Sequence, residues 1–252
     1  MQEKDTKKTK SKKPTKIKKM YYARFVFRIL VFLAAIATYI FYPQTIDVMI
    51  GINMFKTFNI MHIFLIIWVA EIVMQFIPMI GQFSIGSLKH FKQYMKFAAI
   101  KDELKHLKTM IQKQIKANMG AMKVLVLWII LVAIVGALSI FKILTHRELF
   151  LIAAFLYLCD LICVLFFCPF QKFFMHNKCC ATCRIFNWDH LMMFSPLVFV
   201  IGVYPALLIV LSLISLLIWE FKYHSHPERF FEESNDRLKC KNCQEKMCRK
   251  YM

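Results

Sequence analysis

Residues 191–219 read LMMFSPLVFVIGVYPALLIVLSLISLLIW, a run of 29 residues without a single charge. One membrane crossing by an α-helix takes about 20 apolar residues, so the run is too long for one ordinary span and too short for two. At its middle stands Gly202-Val203-Tyr204-Pro205. Proline removes a helical N–H and disfavours helix in the residue before it. Two readings follow. One is a single kinked helix; the other is a tight hairpin of a short helix, about Trp188 to Ile201, and a longer one, about Pro205 to Tyr223.

Charge separates them. With six membrane elements and both ends inside, Lys56, Lys142 and Arg147 alone lie outside, and the other 31 of the 34 Lys and Arg residues sit at or near the cytoplasmic side. With five elements, the tail from Lys222 to Lys250 moves outside and takes eight basic residues with it. Cytoplasmic loops carry the excess of Lys and Arg, which favours the hairpin. Six elements, or five plus a re-entrant half, place both chain ends in the cytosol.

The composition agrees with a membrane class. The chain is 59% hydrophobic with 25 phenylalanines and only 6 glycines, and its apolar residues fall into long blocks. The formal net charge is +19. Such charge also suits nucleic-acid binding, but no aromatic-basic binding motif accompanies it, and beside membrane spans it marks cytoplasmic loops. The expected fold class is therefore all-α, a polytopic membrane helical bundle of four full spans plus a C-terminal short-helix/long-helix hairpin, with N and C termini cytoplasmic. The bacterial cytoplasmic (inner) membrane is the expected location.

Around the hairpin, residues 1–22 read as a basic, disordered cytosolic tail, with nine Lys in the first nineteen positions and almost nothing to bury. Anionic lipid headgroups are its natural contact. No small-residue cleavage site follows the first apolar block, so that block reads as an uncleaved anchor. The clear spans are Phe25 to Tyr42, Ile60 to Ile80, Val124 to Leu144 and Leu149 to Phe167. Between Ser84 and Gly120, Leu104, Leu107, Ile111 and Ile115 recur at helical spacing with lysines between them. That connection reads as an amphipathic helix on the inner leaflet or against a partner subunit. The bundle then occupies 23–222 and a Cys-rich tail 223–252.

Two cysteine clusters flank the hairpin: Cys179-Cys180-Ala181-Thr182-Cys183, and Cys240-Lys241-Asn242-Cys243 followed by Cys248. Each holds a Cys-x-x-Cys pair, the spacing at which one turn grips one metal ion. A returning hairpin brings both to one face. Cys180, Cys183, Cys240 and Cys243 then form a four-sulfur site, with Cys179, Cys248 and Cys168 as spare thiols and His176, His190, His224 and His226 as substitutes. Zinc is the expected ion. An iron-sulfur cluster is the alternative, although the ferredoxin-type Cys-x-x-Cys-x-x-Cys run is missing. A cytosolic site disfavours a disulfide framework.

The stretch from Cys179 through Asn187-Trp188-Asp189, with the later His226-Pro227-Glu228-Arg229-Phe230 leading to Cys240, resembles a group of uncharacterised multi-pass membrane proteins from clostridial-type bacteria. The resemblance covers the C-terminal third. It implies that loop and tail act as one unit, and it implies no reaction.

Inside the spans, Glu71 and Asp160 lie at matched depth from the inner side, with Arg28 one turn into the first span and Gln75 one turn beyond Glu71. Ionisable groups in hydrocarbon are costly and mark either function or packing. A proton or cation relay is one reading, and a buried Arg-carboxylate cluster that fixes helix register is the other. Cys159 and Cys163, one turn apart, read as small core residues. The 16 methionines form no Met-x-x-Met array and read as gap-fillers. No Walker loop, Gly-x-Ser-x-Gly elbow or His-Glu-x-x-His is present, which leaves conventional hydrolase and nucleotide-driven chemistry without a foothold. The function expectations are a structural or accessory subunit of a membrane complex, an iron-sulfur electron carrier, or a carboxylate-coupled transporter.

Overall fold

The computed structural model describes residues 16–56, 58–76, 103–177, 180–232, 234–235 and 238–239. It is an all-α bundle, and among the described residues the lone extended pairing is a bridge between Gly51 and Gly202. The helices are α1 (Lys16–Phe41), α2 (Ile60–Phe76), α3 (Glu103–Ile140), α4 (His146–Leu165), α5 (Asp189–Phe194) and α6 (Val203–Ser225). Four of them are long and apolar enough to cross a membrane, over Lys18–Phe41, Leu107–Ile140, His146–Leu165 and Val203–Ser225. The chain is an integral, multi-pass membrane protein whose outer helix faces contact lipid.

The run at 191–219 folds as the hairpin. Helix α5 has six residues and passes directly into a 3₁₀ segment, Ser195–Phe199, after which Val200 to Gly202 turn the chain into α6. Six α-helical and five 3₁₀ residues rise about 19 Å together, a short crossing. Helix α6 starts two residues earlier than the proline suggests. Pro205 sits in its first turn, where the missing N–H has no carbonyl to reach, so it starts the helix instead of breaking it.

Gly202 makes the turn fit. Gly51 N donates to Ile201 O at 2.8 Å, and Val203 N donates to Gly51 O at 2.9 Å. A Cβ on Gly202 would stand 1.9 Å from Met49 O. Backbone therefore meets backbone only because position 202 has no side chain.

The third span and the basic connection are one helix. The 38 residues of α3 rise about 57 Å, well beyond a hydrocarbon core of about 30 Å. Gly120, read from the sequence as the end of the connection, lies inside this helix. A Cβ there would come within 2.9 Å of Phe174 O, so the glycine permits close approach of the 171–175 turn. Helix α1 likewise begins at Lys16, within the segment expected to be a disordered tail. Residues 1–15 and 77–102, which carry the rest of the tail and the start of the connection, lie outside the described residues.

Helix α4 is started by a capping box. Thr145 N donates to Glu148 Oε2 at 2.7 Å, while the Thr145 hydroxyl accepts from Arg147 N. The core is aromatic, with Trp68 between Phe150 at 5.8 Å and Phe194 at 5.2 Å between ring centroids. Ala35, Ala153 and Ala154 are fully buried, and small residues let α1 and α4 approach closely.

The bundle has two ends. At one, Asp47 accepts from Arg147 and lies beside the Gly51–Gly202 contact. At the other, Tyr21 of α1 packs on Leu161, Leu165 and Phe186, and Trp219, Tyr223 and Phe230 pack on Phe186 and Trp188. The start of α1, the 166–188 loop and the segment after α6 share this second end, here called the loop face.

Candidate functional site

Arg28, 2% exposed, is the centre of the loop-face half of the bundle. From α1 it donates through Nη2 to Glu71 Oε2 of α2 at 2.7 Å, and through Nη1 to Asp160 Oδ2 of α4 at 2.6 Å. Nη1 also reaches the carbonyl of Tyr157 at 2.7 Å. The guanidinium lies over the Tyr157 ring at 4.2 Å, and the Tyr157 hydroxyl donates to Glu71 Oε1 at 2.9 Å. Arg24, one turn earlier on α1, stands 3.7 Å from the same Glu71 oxygen. One cation thus holds two carboxylates from different helices, the condition under which buried charge is tolerated in apolar surroundings.

Gln75 continues the network. Its amide nitrogen lies 2.9 Å from His190 Nδ1 and 3.3 Å from Asp189 Oδ2, and its oxygen accepts from Ser215 at 2.9 Å. His190 Nδ1 is also 3.0 Å from Asp189 Oδ1. With a lone pair at Nδ1 the ring accepts from Gln75; with a proton there it donates to Asp189. These side chains line a cavity of about 40 Å³ whose walls include Arg24, Arg28, Glu71, Asp160, Asp189 and His190. That is room for water in a polar setting.

All four intramembrane residues expected from the sequence meet here. Arg28, Glu71 and Asp160 form one cluster, and Gln75 carries it to α5. Tyr157, Asp189, Arg24 and Ser215 were not anticipated. Tyr157 lies three residues before Asp160, on the same helix face, which was the available signal.

A second cavity, about 130 Å³, shares Asp160, Val164, Phe186 and Asp189 with the first. Its walls also include Trp128, Gln171, Met192 and Met193 together with Cys159, Cys163, Cys168, Cys180 and Cys183. Cys159 and Cys163, read from the sequence as core fillers, are therefore cavity-lining. The neighbouring Cys163 thiol outweighs burial and pulls the Cys168 pKa down to about 7. The Gln171 backbone N–H, 3.4 Å from Cys168 Sγ, adds to it.

Cys180 opens a 3₁₀ turn, Cys180–Thr182, and Cys183 N donates back to Cys180 O at 3.0 Å. Cys179, Cys240, Cys243 and Cys248 lie outside the described residues. Among the described residues, no three His, Cys, Asp or Glu side chains stand together as a metal-holding group. The substitute histidines disperse. His176 takes a left-handed backbone, His190 joins the polar cluster, and His226 lies 3.2 Å from Glu228. His224 is 66% exposed.

No family model matches the chain. No curated protein and no solved structure matches it either.

Loop and tail are clamped where they meet. Arg184, 6% exposed, donates from Nη1 to Glu220 Oε1 at 2.7 Å and from Nη2 to Glu220 Oε2. Trp188 Nε1 donates to the same carboxylate at 2.7 Å, and Trp219 Nε1 to Arg184 O at 2.8 Å. The guanidinium stacks on Tyr223 at 3.7 Å, whose ring meets Phe230 at 4.9 Å. The bidentate pair and the stacked aromatics fix the loop against the end of α6.

Proposed function

We propose that this integral membrane protein is a structural or accessory subunit of a membrane complex whose loop face is closed by a four-sulfur zinc site. Cys180 and Cys183 supply the loop half, and Cys240 and Cys243 supply the tail half. One observation carries the reading: Phe230 and Tyr223 pack against Phe186 and Trp188, so the tail sets out from the loop that holds Cys180 and Cys183. The ten residues from Phe230 to Cys240 reach at most about 36 Å when extended, which keeps the second Cys-x-x-Cys within range of the first. Cys183 N on Cys180 O closes a tight turn between the two cysteines, the kind of turn a zinc knuckle uses. Zinc on four thiolates would tie tail to loop and add folding free energy. The loop face is the cytoplasmic one on this reading, in the bacterial inner membrane, with the basic residues near anionic headgroups.

Metal content after purification without oxygen tests it. One zinc per chain in a colourless sample supports the site. Iron with labile sulfide in a brown sample replaces zinc by an iron-sulfur cluster and makes the protein an electron carrier. Cys180→Ser is expected to release the tail to protease; an unchanged digestion pattern removes the clip.

The polar cavity of about 40 Å³ between Glu71, Asp160 and Asp189 favours a second reading, proton or cation passage. Flux in vesicles that disappears in folded Glu71→Gln and Asp160→Asn proteins supports it, and unchanged flux removes it.

A further inference from the structure

We propose that the loop-face half of α3 is a docking site for an acidic amphipathic helix of a partner protein, received on the ridge Leu107, Ile111, Ile115 and Met119. The inference rests on the accessory-subunit reading and gives that partner a chemistry. Its geometry comes from the length of α3. The 20 residues from Ala121 to Ile140 rise about 30 Å, which fills a hydrocarbon core. Gly120 closes on Phe174 O, and Ala121 clusters with Met175 and Cys183, so the loop face reaches α3 at this level. The 17 residues from Glu103 to Met119 carry the helix about 26 Å further. A helix lying on the leaflet has to bend away from its own span, and sharp bends come from proline, Gly/Ser pairs or π-bulges. Helix α3 has no proline and stays α-helical from Glu103 to Ile140, so the ridge stands in water and not among headgroups.

Leu107, Ile111, Ile115 and Met119 follow one another at four-residue steps, and each is between 47% and 59% exposed. Side chains at that spacing form one continuous ridge, of the kind that packs into the groove of a second helix. A contiguous apolar surface in water marks an interaction site. Another face of the helix is already in use. Ala121 and Val124 are buried, and Asn118 accepts from Arg184 Nε at 3.4 Å. The charge around the ridge chooses the partner. Residues 104–123 hold five lysines and no Asp or Glu. At about 100° per residue, Lys108 lies within the arc of the ridge and Lys116 and Lys123 along one edge of it, all three exposed. A second copy docked on the same ridge would bring ten lysines together without a carboxylate. Like charges set against each other across an interface reject a partner. A helix with an apolar row between Glu and Asp side chains answers both features, through anchors at helical spacing and opposite charge.

The test places the full chain in phosphatidylcholine nanodiscs and adds two fluorescein-labelled peptides of about 20 residues, long enough to fold as helices. Both carry the same leucine row on an alanine background, one with Glu and the other with Lys on the remaining faces. Fluorescence anisotropy, referenced to empty discs, reads binding. The Glu peptide is expected to bind at least about tenfold more tightly than the Lys peptide, and Ile111→Asp with Ile115→Asp to weaken it at least about tenfold. Changing Lys108, Lys116 and Lys123 to Glu together should reverse the preference between the peptides. Equal binding of the two peptides, or binding untouched by the paired aspartates, overturns the proposal. A cross-linked dimer of this chain that the aspartates dissociate also overturns it. The unmutated protein gives a readout that needs no variant to fold. A diazirine dissolved in the bilayer should label 124–140 and spare 107–119, as mapped by mass spectrometry, and equal labelling puts the ridge in lipid and overturns the docking site. Zinc is counted on the same samples. Cys180→Ser should lose zinc and keep the peptide, so the loop–tail site and the docking ridge can each fail with the other standing.

Discussion

Arg28 and Asp160 meet at 2.6 Å, from the first and fourth helices of the bundle, and the same guanidinium holds Glu71 of the second helix at 2.7 Å. Three helices are thereby registered by one side chain. Removing it leaves two buried carboxylates without their cation, which is far costlier than never having buried them. Arg28→Met should lower stability by about 3–5 kcal/mol. Arg28→Lys should also be damaging, because one ammonium cannot replace a fork that bonds two carboxylates and a carbonyl at once. Thermal unfolding in detergent checks both, and a lysine variant as stable as the parent would contradict the shared-fork account.

The cluster was legible before the structure because an ionisable residue in an apolar run is expensive and therefore conspicuous. Glu71, Asp160 and Arg28 each stood out alone, and their matched depth suggested a meeting. Tyr157 and Asp189 did not stand out. An aromatic residue in a span is ordinary, and Asp189 lay at the very start of the expected short helix, beside the cysteine turn, where a polar residue is unremarkable. The length of α3 was hidden for a different reason. A glycine between a polar and an apolar stretch looks like a boundary, but Gly120 serves close approach to Phe174 O, and no proline interrupts the helix. The hairpin at Gly202 was visible in the length of its apolar run, yet its partner Gly51 was not, since nothing local marks a contact so distant in sequence.

That contact separates two glycines by mechanism. A methyl at 202 would lie 1.9 Å from a backbone oxygen, which only a backbone shift can relieve. A methyl at 51 meets nothing within 4 Å, but Gly51 has φ of +58°, a conformation that costs an L-residue about 1–2 kcal/mol. Gly202→Ala should therefore be the more destabilising of the two, and Gly51→Ala should lose about 1–2 kcal/mol. Equal losses in unfolding experiments would mean that the Gly51–Gly202 contact is not tight in solution.

At the same end, Asp47 gives the fold a dependence on acid. Burial alone would raise its pKa, but hydrogen bonds from His146 and Arg147 outweigh that and hold the carboxyl below its ordinary value. A carboxyl depressed on folding contributes stability above its unfolded pKa and loses it as pH falls through the folded one. The pair is well exposed, 35% at Arg147 and 39% at Asp47, so the contribution is small and screened by salt. Asp47→Asn should flatten the acid limb of a stability–pH profile at low ionic strength. An acid limb of undiminished slope in that variant would place the titrating group elsewhere.

The Arg184–Glu220 pair makes the last prediction, because it ties the loop to α6 without any metal. Arg184 reaches Glu220 with both terminal nitrogens, Trp188 adds a third donor to the same carboxylate, and Trp219 holds the Arg184 carbonyl. Glu220→Gln keeps the shape but removes the charge that matches the guanidinium, leaving Arg184 buried without its counter-ion. A loss of about 3–5 kcal/mol follows if the pair behaves as buried, less to the extent that Glu220, 24% exposed, is reached by water. The readout is local as well as global. Hydrogen exchange at 184–188 and protease access beyond Phe230 should both rise in Glu220→Gln, since Phe230 rests on Tyr223 and Tyr223 carries the stacked guanidinium. Phe230→Ala should expose the tail to protease while leaving exchange at 184–188 nearly unchanged, because the ion pair does not depend on that ring. If both variants release the loop and the tail together, the clamp and the tail anchor are one cooperative unit and not two successive layers.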